Sequence, residues 1–205
     1  MNTAVWTPRP ATGSAAASRA LGTGLWVFIG VASTLFGLFL TAYVMRMDGA
    51  DWSTIALPHQ LWLSSGLLVA GSVLLQRASS AARAARWPVA QTLLLAGGAC
   101  AMAFIGVQLW AWQSLLTARV MLASNPAASF FYVLTALHGL HVLGGLIAWA
   151  ATLPTVSQPA DPAGVARRVA LCARYWHFLL AVWVVLFAAL GWLTPDVVRF
   201  ICGKG

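Results

Sequence analysis

The sequence predicts an all-α membrane protein, a polytopic bundle of five transmembrane helices. Of its 205 residues, 60% are hydrophobic and only 8% are charged, whereas a soluble domain carries about a quarter charged residues. The mean hydropathy is +0.82. A helix needs about 20 predominantly apolar residues to cross a bilayer, and five segments of this chain meet that requirement.

The five predicted spans follow one another with short connections. They cover Leu25–Met45, Leu57–Gln76, Val89–Leu116, Phe130–Leu153 and Val169–Leu193. Prolines mark their ends, because the first turn of a helix tolerates a residue without an N–H group. The prolines at or just outside span ends are Pro58, Pro88, Pro126 and Pro195, and those that predict the longest loop are Pro154, Pro159 and Pro162.

The distribution of basic residues predicts the orientation. Loops on the cytoplasmic side of a membrane protein are enriched in arginine and lysine. Eight basic residues fall on one side, namely Arg9, Arg19, Arg77, Arg83, Arg86, Arg167, Arg168 and Arg174, and four on the other, namely Arg46, Arg119, Arg199 and Lys204. We therefore expect a multi-pass protein of the bacterial cytoplasmic membrane. It would have a flexible cytoplasmic arm (1–24), a transmembrane domain (25–193) and a short exterior tail (194–205).

The acidic residues exclude several classes of function. There is no glutamate, and the aspartates, Asp48, Asp51, Asp161 and Asp196, all lie in loops or tails. Pumps and ion-coupled transporters need ionisable groups inside the membrane, so a self-contained transporter is not expected. The chain also lacks a phosphate-binding loop and paired catalytic carboxylates, so no enzyme activity is expected of it alone. The net charge of +8 indicates contact with lipid headgroups and not with nucleic acid.

A polar stripe crosses the fourth predicted span. On a helix, Thr135, His138, His141 and Gly145 lie within an arc of roughly 120°. Because polar groups are costly in hydrocarbon, this arc should face a helix or subunit interface. Three interpretations are open, namely buried structural histidines, haem ligation and a proton relay. We expect no bound metal or cofactor, because no further ligands are in register with the two histidines.

A stripe of small residues marks the first span. Gly30, Thr34, Gly37 and Thr41 lie within about 60° of one another on a helix. Membrane helices use such stripes to approach each other closely. The partner is either a sister helix of this chain or a helix of another subunit.

The start of the fifth span predicts contact with the membrane surface. It contains the Arg167–Arg168 pair and the run Arg174-Tyr175-Trp176-His177. Tyrosine and tryptophan are common anchors at the membrane interface, and arginine binds phosphate through two parallel hydrogen bonds. We therefore predict lipid binding or interfacial anchoring at these residues.

Three segments together resemble subunit III of the haem-copper terminal oxidases, the cytochrome c and quinol oxidase family. His138-Gly-Leu-His141-Val is similar to that family's His-Gly-x-His-Val signature, and Tyr175-Trp-His-Phe with Val182-Trp183 is similar to its Tyr-Trp-His-Phe-x-Asp-x-Val-Trp motif. Gly106-Val-Gln-Leu-Trp-Ala-Trp112 resembles a third conserved segment. The length of the chain matches the five-helix form of the family.

Three positions depart from the family pattern. The family usually has acids where this chain has Ala32, Ala111 and Leu180. In the family these acids are associated with bound lipid and with the side where protons enter. Their absence puts a proton-uptake role of this chain in doubt.

The resemblance implies a non-catalytic accessory subunit. Haem and copper would sit in the partner subunits I and II, which reduce oxygen to water and move protons. This chain would pack on subunit I, stabilise it and bind membrane phospholipids. Two alternatives remain open from the sequence: a haem b-binding membrane anchor, with His141 and either His177 or His138 as axial ligands, and an accessory subunit of a nitric oxide reductase-type enzyme.

Overall fold

Six helices make up most of the chain. The computed structural model describes residues 12–49, 51–55, 57–121 and 125–201, and this part contains no β-strand. The helices are α1 (Thr12–Arg46), α2 (Gln60–Arg83), α3 (Trp87–Thr117), α4 (Pro126–Ser157), α5 (Pro162–Trp192) and the short α6 (Pro195–Ile201). Helices α1 to α5 are long and apolar enough to cross a membrane. The predicted fold class is therefore confirmed.

The helices extend beyond the apolar spans predicted from the sequence. Helix α1 begins at Thr12 and so includes part of the predicted arm, while α6 lies in the predicted exterior tail. Alanine-rich sequence such as residues 15–20 favours helix whether or not hydrocarbon surrounds it. The remainder of the predicted arm (1–11) and of the tail (202–205) lies outside the described residues.

The connection between α4 and α5 is shorter than the prolines predict. Pro154 lies inside α4 and Pro162 is the first residue of α5, so only residues 158–161 separate the two helices. Proline fits the start of α5 because the N–H groups of a first turn have no intrahelical partner. The longest connection is instead the α1–α2 segment, from Met47 to His59.

Helices α2 and α3 end in the same way. Ala85 and Arg119 follow their last turns with φ values of 54° and 59°, the left-handed conformation that stops a helix. In each case the N–H group of the next residue returns to a carbonyl five residues back, from Arg86 to Ala81 and from Val120 to Leu115. These bonds satisfy carbonyl groups that the helix leaves unpaired, and the first one makes a sharp turn into α3.

The core lies between α2, α3, α4 and α5. Its largest fully buried side chains include Phe104, Phe131, Trp176 and Trp183. Helices α2 and α3 approach most closely at Gly71 and Gly97, where a Cβ atom added at either glycine would lie 3.4 Å from the carbonyl oxygen of the other. Small residues allow such close backbone contact in membrane bundles.

Helix α1 lies on the outside of this core. Only 17% of the residues in its most apolar stretch are buried, against 33–44% in the other four spans. It packs mainly on α4 and α5 through one buried face that contains Ala32, Phe36 and Tyr43. Most of the surface of α1 therefore faces outward.

The loop after α1 is stabilised by one ion pair and one aromatic contact. The Arg46 guanidinium donates a hydrogen bond of 2.6 Å to the Asp51 carboxylate, which lowers the pKa of Asp51 below its usual value. The Trp52 ring packs edge-on against Tyr43, with centroids 5.2 Å apart. Both contacts turn the chain back toward the end of α1.

Candidate functional site

The polar stripe of α4 lies inside the bundle. Thr135, His138 and Gly145 are buried, and His141 is half-buried. Thr135 Oγ1 accepts a hydrogen bond of 3.1 Å from the Trp112 indole of α3, and it also donates one of 2.6 Å to the Phe131 carbonyl. Through Thr135, the stripe therefore contributes to the contact between α3 and α4.

His138 is enclosed by aromatic rings. Its imidazole is 0% exposed and lies against Phe36, Phe104 and Trp183, at centroid distances of 6.4, 5.7 and 5.2 Å. Neither ring nitrogen has a hydrogen-bond partner among the described residues. An iron atom would have to displace these rings to reach a nitrogen, so the geometry does not favour His138 as a haem ligand.

His141 connects α4 with α1 and α5. Its Nδ1 atom lies 2.7 Å from the Leu137 carbonyl, and its ring contacts Phe28 and Phe36 of α1 at 5.7 and 5.2 Å. Its own carbonyl accepts a hydrogen bond of 3.0 Å from the Tyr175 hydroxyl of α5. His141 and Tyr175 therefore lie where α1, α4 and α5 contact one another.

Gly145 allows α5 to approach α4 closely at this contact. A Cβ atom at this position would lie 3.0 Å from the Tyr175 ring and 3.3 Å from Leu179. No such contact exists at Gly139 on the same helix, where a Cβ atom would meet nothing within 4 Å. Gly145 is thus the position in the stripe where α5 needs the smallest side chain.

The histidines do not come together as a ligand set. His177 faces α2, where its Nδ1 atom contacts the Ser72 hydroxyl and its Nε2 atom lies 3.1 Å from Oε1 of Gln76. His141 instead faces α1. Within the part of the chain that the structure describes, no three His, Cys, Asp or Glu side chains are grouped as metal ligands. The arrangement fits interhelical packing better than haem ligation.

The small residues of α1 face away from the bundle. Gly30, Thr34, Gly37 and Thr41 are all exposed, and a Cβ atom at either glycine would meet nothing within 4 Å. The threonine hydroxyls bond to carbonyls one turn back, at 3.0 Å and 2.9 Å. The interpretation as a contact with a sister helix of this chain is therefore wrong, and the surface is open to another subunit or to lipid.

Tyr175 and Trp176, which the sequence predicts as interfacial anchors, lie near the middle of α5 and are buried. Tyr175 and Trp176 are 7% and 1% exposed, because their side of α5 packs on the core. Arg174 is exposed and lies over the Trp26 ring of α1, 5.6 Å from its centroid. Interfacial anchoring thus does not fit the two rings, whereas Arg174 keeps an exposed cation beside an exposed indole.

Arg168 borders two adjoining cavities between α1, α4 and α5, and Arg167 borders the smaller of them. One is an open apolar groove of about 640 Å³, whose lining includes Leu25, Phe28, Ala148, Arg168, Leu171 and Tyr175. The other, of about 340 Å³, lies at the end of the groove and is lined by polar as well as apolar groups. Both arginines are exposed, so a long apolar molecule with a charged end fits this region.

Sequence reasoning missed a set of polar contacts around α2. Serines and glutamines of α2 form hydrogen bonds with α3 and α5. Because none of these side chains is charged, they did not stand out in the apolar segments. The pairs are Gln60–Ser114, Ser64–Gln108, Ser65–Trp183, Ser72–His177 and Gln76–His177. The available signal was the repeated serine in the predicted second span, because hydroxyls in membrane helices bond to their own backbone or to a neighbouring helix.

Comparison with known proteins agrees with the resemblance in the motifs. No protein-family model matches the chain. It is 31% identical to the probable cytochrome c oxidase subunit 3 of Nocardia farcinica, over 93% of this chain and 98% of that protein. It is 29% identical to cytochrome c oxidase subunit 3 of Synechocystis, over 80% and 72%. It is 24% identical to the probable quinol oxidase subunit 3 of Staphylococcus saprophyticus, over 81% and 85%.

Two substitutions in the stripe should have opposite effects on stability. Thr135→Val leaves the Trp112 indole without its acceptor, and we expect a loss of about 1–3 kcal/mol. His138→Leu removes two ring nitrogens that have no partner, and we expect unchanged or higher stability. Thermal unfolding in detergent checks both. A larger loss for His138→Leu than for Thr135→Val would contradict the expectation that the unpaired imidazole adds no stability.

Proposed function

The chain belongs to the cytochrome c oxidase subunit 3 family, and we propose that it is a non-catalytic accessory subunit of a haem-copper terminal oxidase. The observation that carries this proposal is the identity of 31% over 98% of the length of a relative with that name. Its partners would be subunits I and II, which would hold haem and copper. The assembled complex would reduce oxygen to water and move protons, and this chain would contribute no redox centre.

We further propose that this subunit relays no protons through its own carboxylates. Two of the positions where the family usually has acids are buried alanines, Ala32 at 3% and Ala111 at 0% exposure. The third is Leu180, which packs against the core. An acid at such depth is stable only with a partner or a function. These interior positions are apolar here, which supports a structural role.

The outward face of α1 is the proposed contact with subunit I. This face combines small residues with hydroxyls that are already hydrogen-bonded, so a second helix can approach without burying an unsatisfied group. The weak burial of α1 within its own chain supports the same role. Packing by a partner would add the contacts that this helix lacks.

The groove between α1, α4 and α5 is the proposed lipid site. Its lining is almost wholly apolar, and Arg168 stands at its end with Arg167 beside it. An acyl chain would fill the groove, and the arginines would bind the lipid phosphate. Arg174, which lies over the exposed Trp26 ring of α1, would contribute to anchoring at the membrane surface.

The proposed orientation places the start of α1 in the cytoplasm. It is supported by the eight-to-four distribution of basic residues, and the five spans among the described residues would place the two ends of the bundle on opposite sides. Reporter fusions after Arg83 and after Gly203 should report the cytoplasmic and the exterior side, respectively. The same side for both fusions, or the reverse result, would contradict this orientation.

Gly37→Leu should weaken association with subunit I. The added side chain meets nothing within this chain, but overpacking an interface costs about 1–3 kcal/mol. We expect roughly tenfold less of the variant to co-purify with the other oxidase subunits. The matched control is Gly106→Leu, at an outward position of α3 where a Cβ atom also meets nothing. Equal co-purification of wild type and Gly37→Leu would place the interface elsewhere.

The double variant Arg167→Gln, Arg168→Gln should lose bound lipid. Charge-assisted hydrogen bonds to phosphate contribute about 1.5–3 kcal/mol each, so we expect about one phospholipid fewer per complex. Phosphorus analysis of the purified oxidase measures this number. Arg86→Gln is the control, since Arg86 is also exposed between two spans but does not border the groove. Unchanged phosphorus content in the double variant would argue against lipid binding here.

A further inference from the structure

A small polar cavity lies at the end of the bundle where α1 and α5 end and α4 begins. Its volume is about 80 Å³. The α1–α2 segment lines it with Trp52 and Thr54, and the bundle lines it with Tyr43 of α1, Ala127 of α4 and the end of α5 up to Thr194. Segments that are distant in sequence therefore surround one space.

Two polar groups in the wall of this cavity have no protein partner. The indole N–H group of Trp52 is buried and bonds to none of the described residues. The Tyr43 side chain is 4% exposed, and its hydroxyl likewise makes no hydrogen bond within the part of the chain that the structure describes. The two rings contact each other edge-on. Buried polar groups are costly to leave unpaired, so both groups call for a partner that the protein does not supply.

Two helix ends of opposite polarity meet at the cavity. The N–H group of Ala127 lies in the first turn of α4, where the helix supplies no acceptor, and Asn125 caps Ala128 instead, at 2.9 Å. Leu190 and Gly191 lie in the last turn of α5, whose carbonyls have no N–H group ahead of them in the helix. The cavity therefore lies between a donor end and an acceptor end.

Water suits this cavity better than an ion does. The described residues that line the cavity carry no charged side chain, and the positive end of α4 and the negative end of α5 act against each other on any ion. A water molecule both donates and accepts, and a buried one makes about three hydrogen bonds to polar groups that the protein leaves unpaired. The hydroxyls of Thr54 and Thr194 can also do both.

We propose that this cavity is a binding site for about two or three ordered water molecules, at roughly 30 Å³ each, which join the Trp52 indole and the Tyr43 hydroxyl to the ends of α4 and α5. These waters hold the α1–α2 segment, the longest connection between helices of this chain, on the bundle. The site is a property of this chain's fold and does not depend on the function proposed above.

The direct test is a cryo-electron microscopy map of the complete oxidase at a resolution that shows ordered water. Density for water should lie about 2.7–3.2 Å from Nε1 of Trp52 and from the Tyr43 hydroxyl oxygen. A map that shows water at other buried polar groups but none in this cavity would overturn the proposal.

Hydrogen exchange of the backbone amides in residues 47–59, measured by mass spectrometry on the complete oxidase, tests the role of the waters. Trp52→Phe removes the N–H group and keeps a ring against Tyr43, and Tyr43→Phe removes only the hydroxyl. Each should speed exchange by about two- to tenfold, the range for one hydrogen bond. Trp62→Phe, at an indole that is 64% exposed, is the control and should match the wild type. Unchanged or slower exchange in Trp52→Phe would show that the indole had no partner to lose, against the proposal.

The double variant separates shared waters from independent effects. The Trp52 indole makes no hydrogen bond to Tyr43, and both rings remain in the variants, so only waters bonded to both groups couple the two losses. The acceleration in the double variant should therefore be smaller than the product of the single accelerations. An acceleration equal to that product would contradict a shared water site.

Discussion

The rule that a polar group in hydrocarbon must find its partner within the protein governs this fold. Helix α2 shows its effect most clearly, because its side chains bond to α3 through Ser64 and to α5 through Ser65 and Ser72. These bonds are specific in position, whereas apolar contact alone would let one helix slide along another. The hydroxyls and amides of α2 thus fix the register of α2, α3 and α5, whose other contacts in the core are mainly apolar.

The hydroxyls of helix α1 satisfy the same rule within the helix itself. Helix α1 therefore has fewer specific bonds to the rest of the bundle. Its threonine hydroxyls bond to its own backbone, and aromatic contacts with His138 and His141 hold it to α4. Ala32 lies between Phe28 and Phe36, one turn from each, so the position where the family usually has an acid is on the face toward these imidazoles. Alanine at this position offers no polar partner to the imidazole. This agrees with the absence of a hydrogen-bond partner for His138 among the described residues.

The sequence was sufficient to predict the spans and the burial of the α4 stripe, because both follow from length, composition and helical period. It was not sufficient to tell which apolar face meets lipid and which meets protein. In water, the polar side of a helix marks the exterior, but lipid and protein core are equally apolar. For this reason the sequence did not show that the stripe at Gly30 and Gly37 faces outward or that Tyr175 and Trp176 face inward. The groove proposed as a lipid site also depends on three helices meeting, which no single segment encodes.

The packing of α1 on α4 and α5 has a consequence for the order of assembly during synthesis. Helices α2 and α3, joined by a turn of only residues 84–86, can pair as soon as both have been made, since contacts close in sequence form fastest. Helix α1 leaves the ribosome first, yet the helices it packs on are made last. During most of translation it therefore stands alone in the bilayer. A first helix whose hydroxyls at Ser33, Thr34 and Thr41 bond to its own backbone is suited to an interval without partner helices.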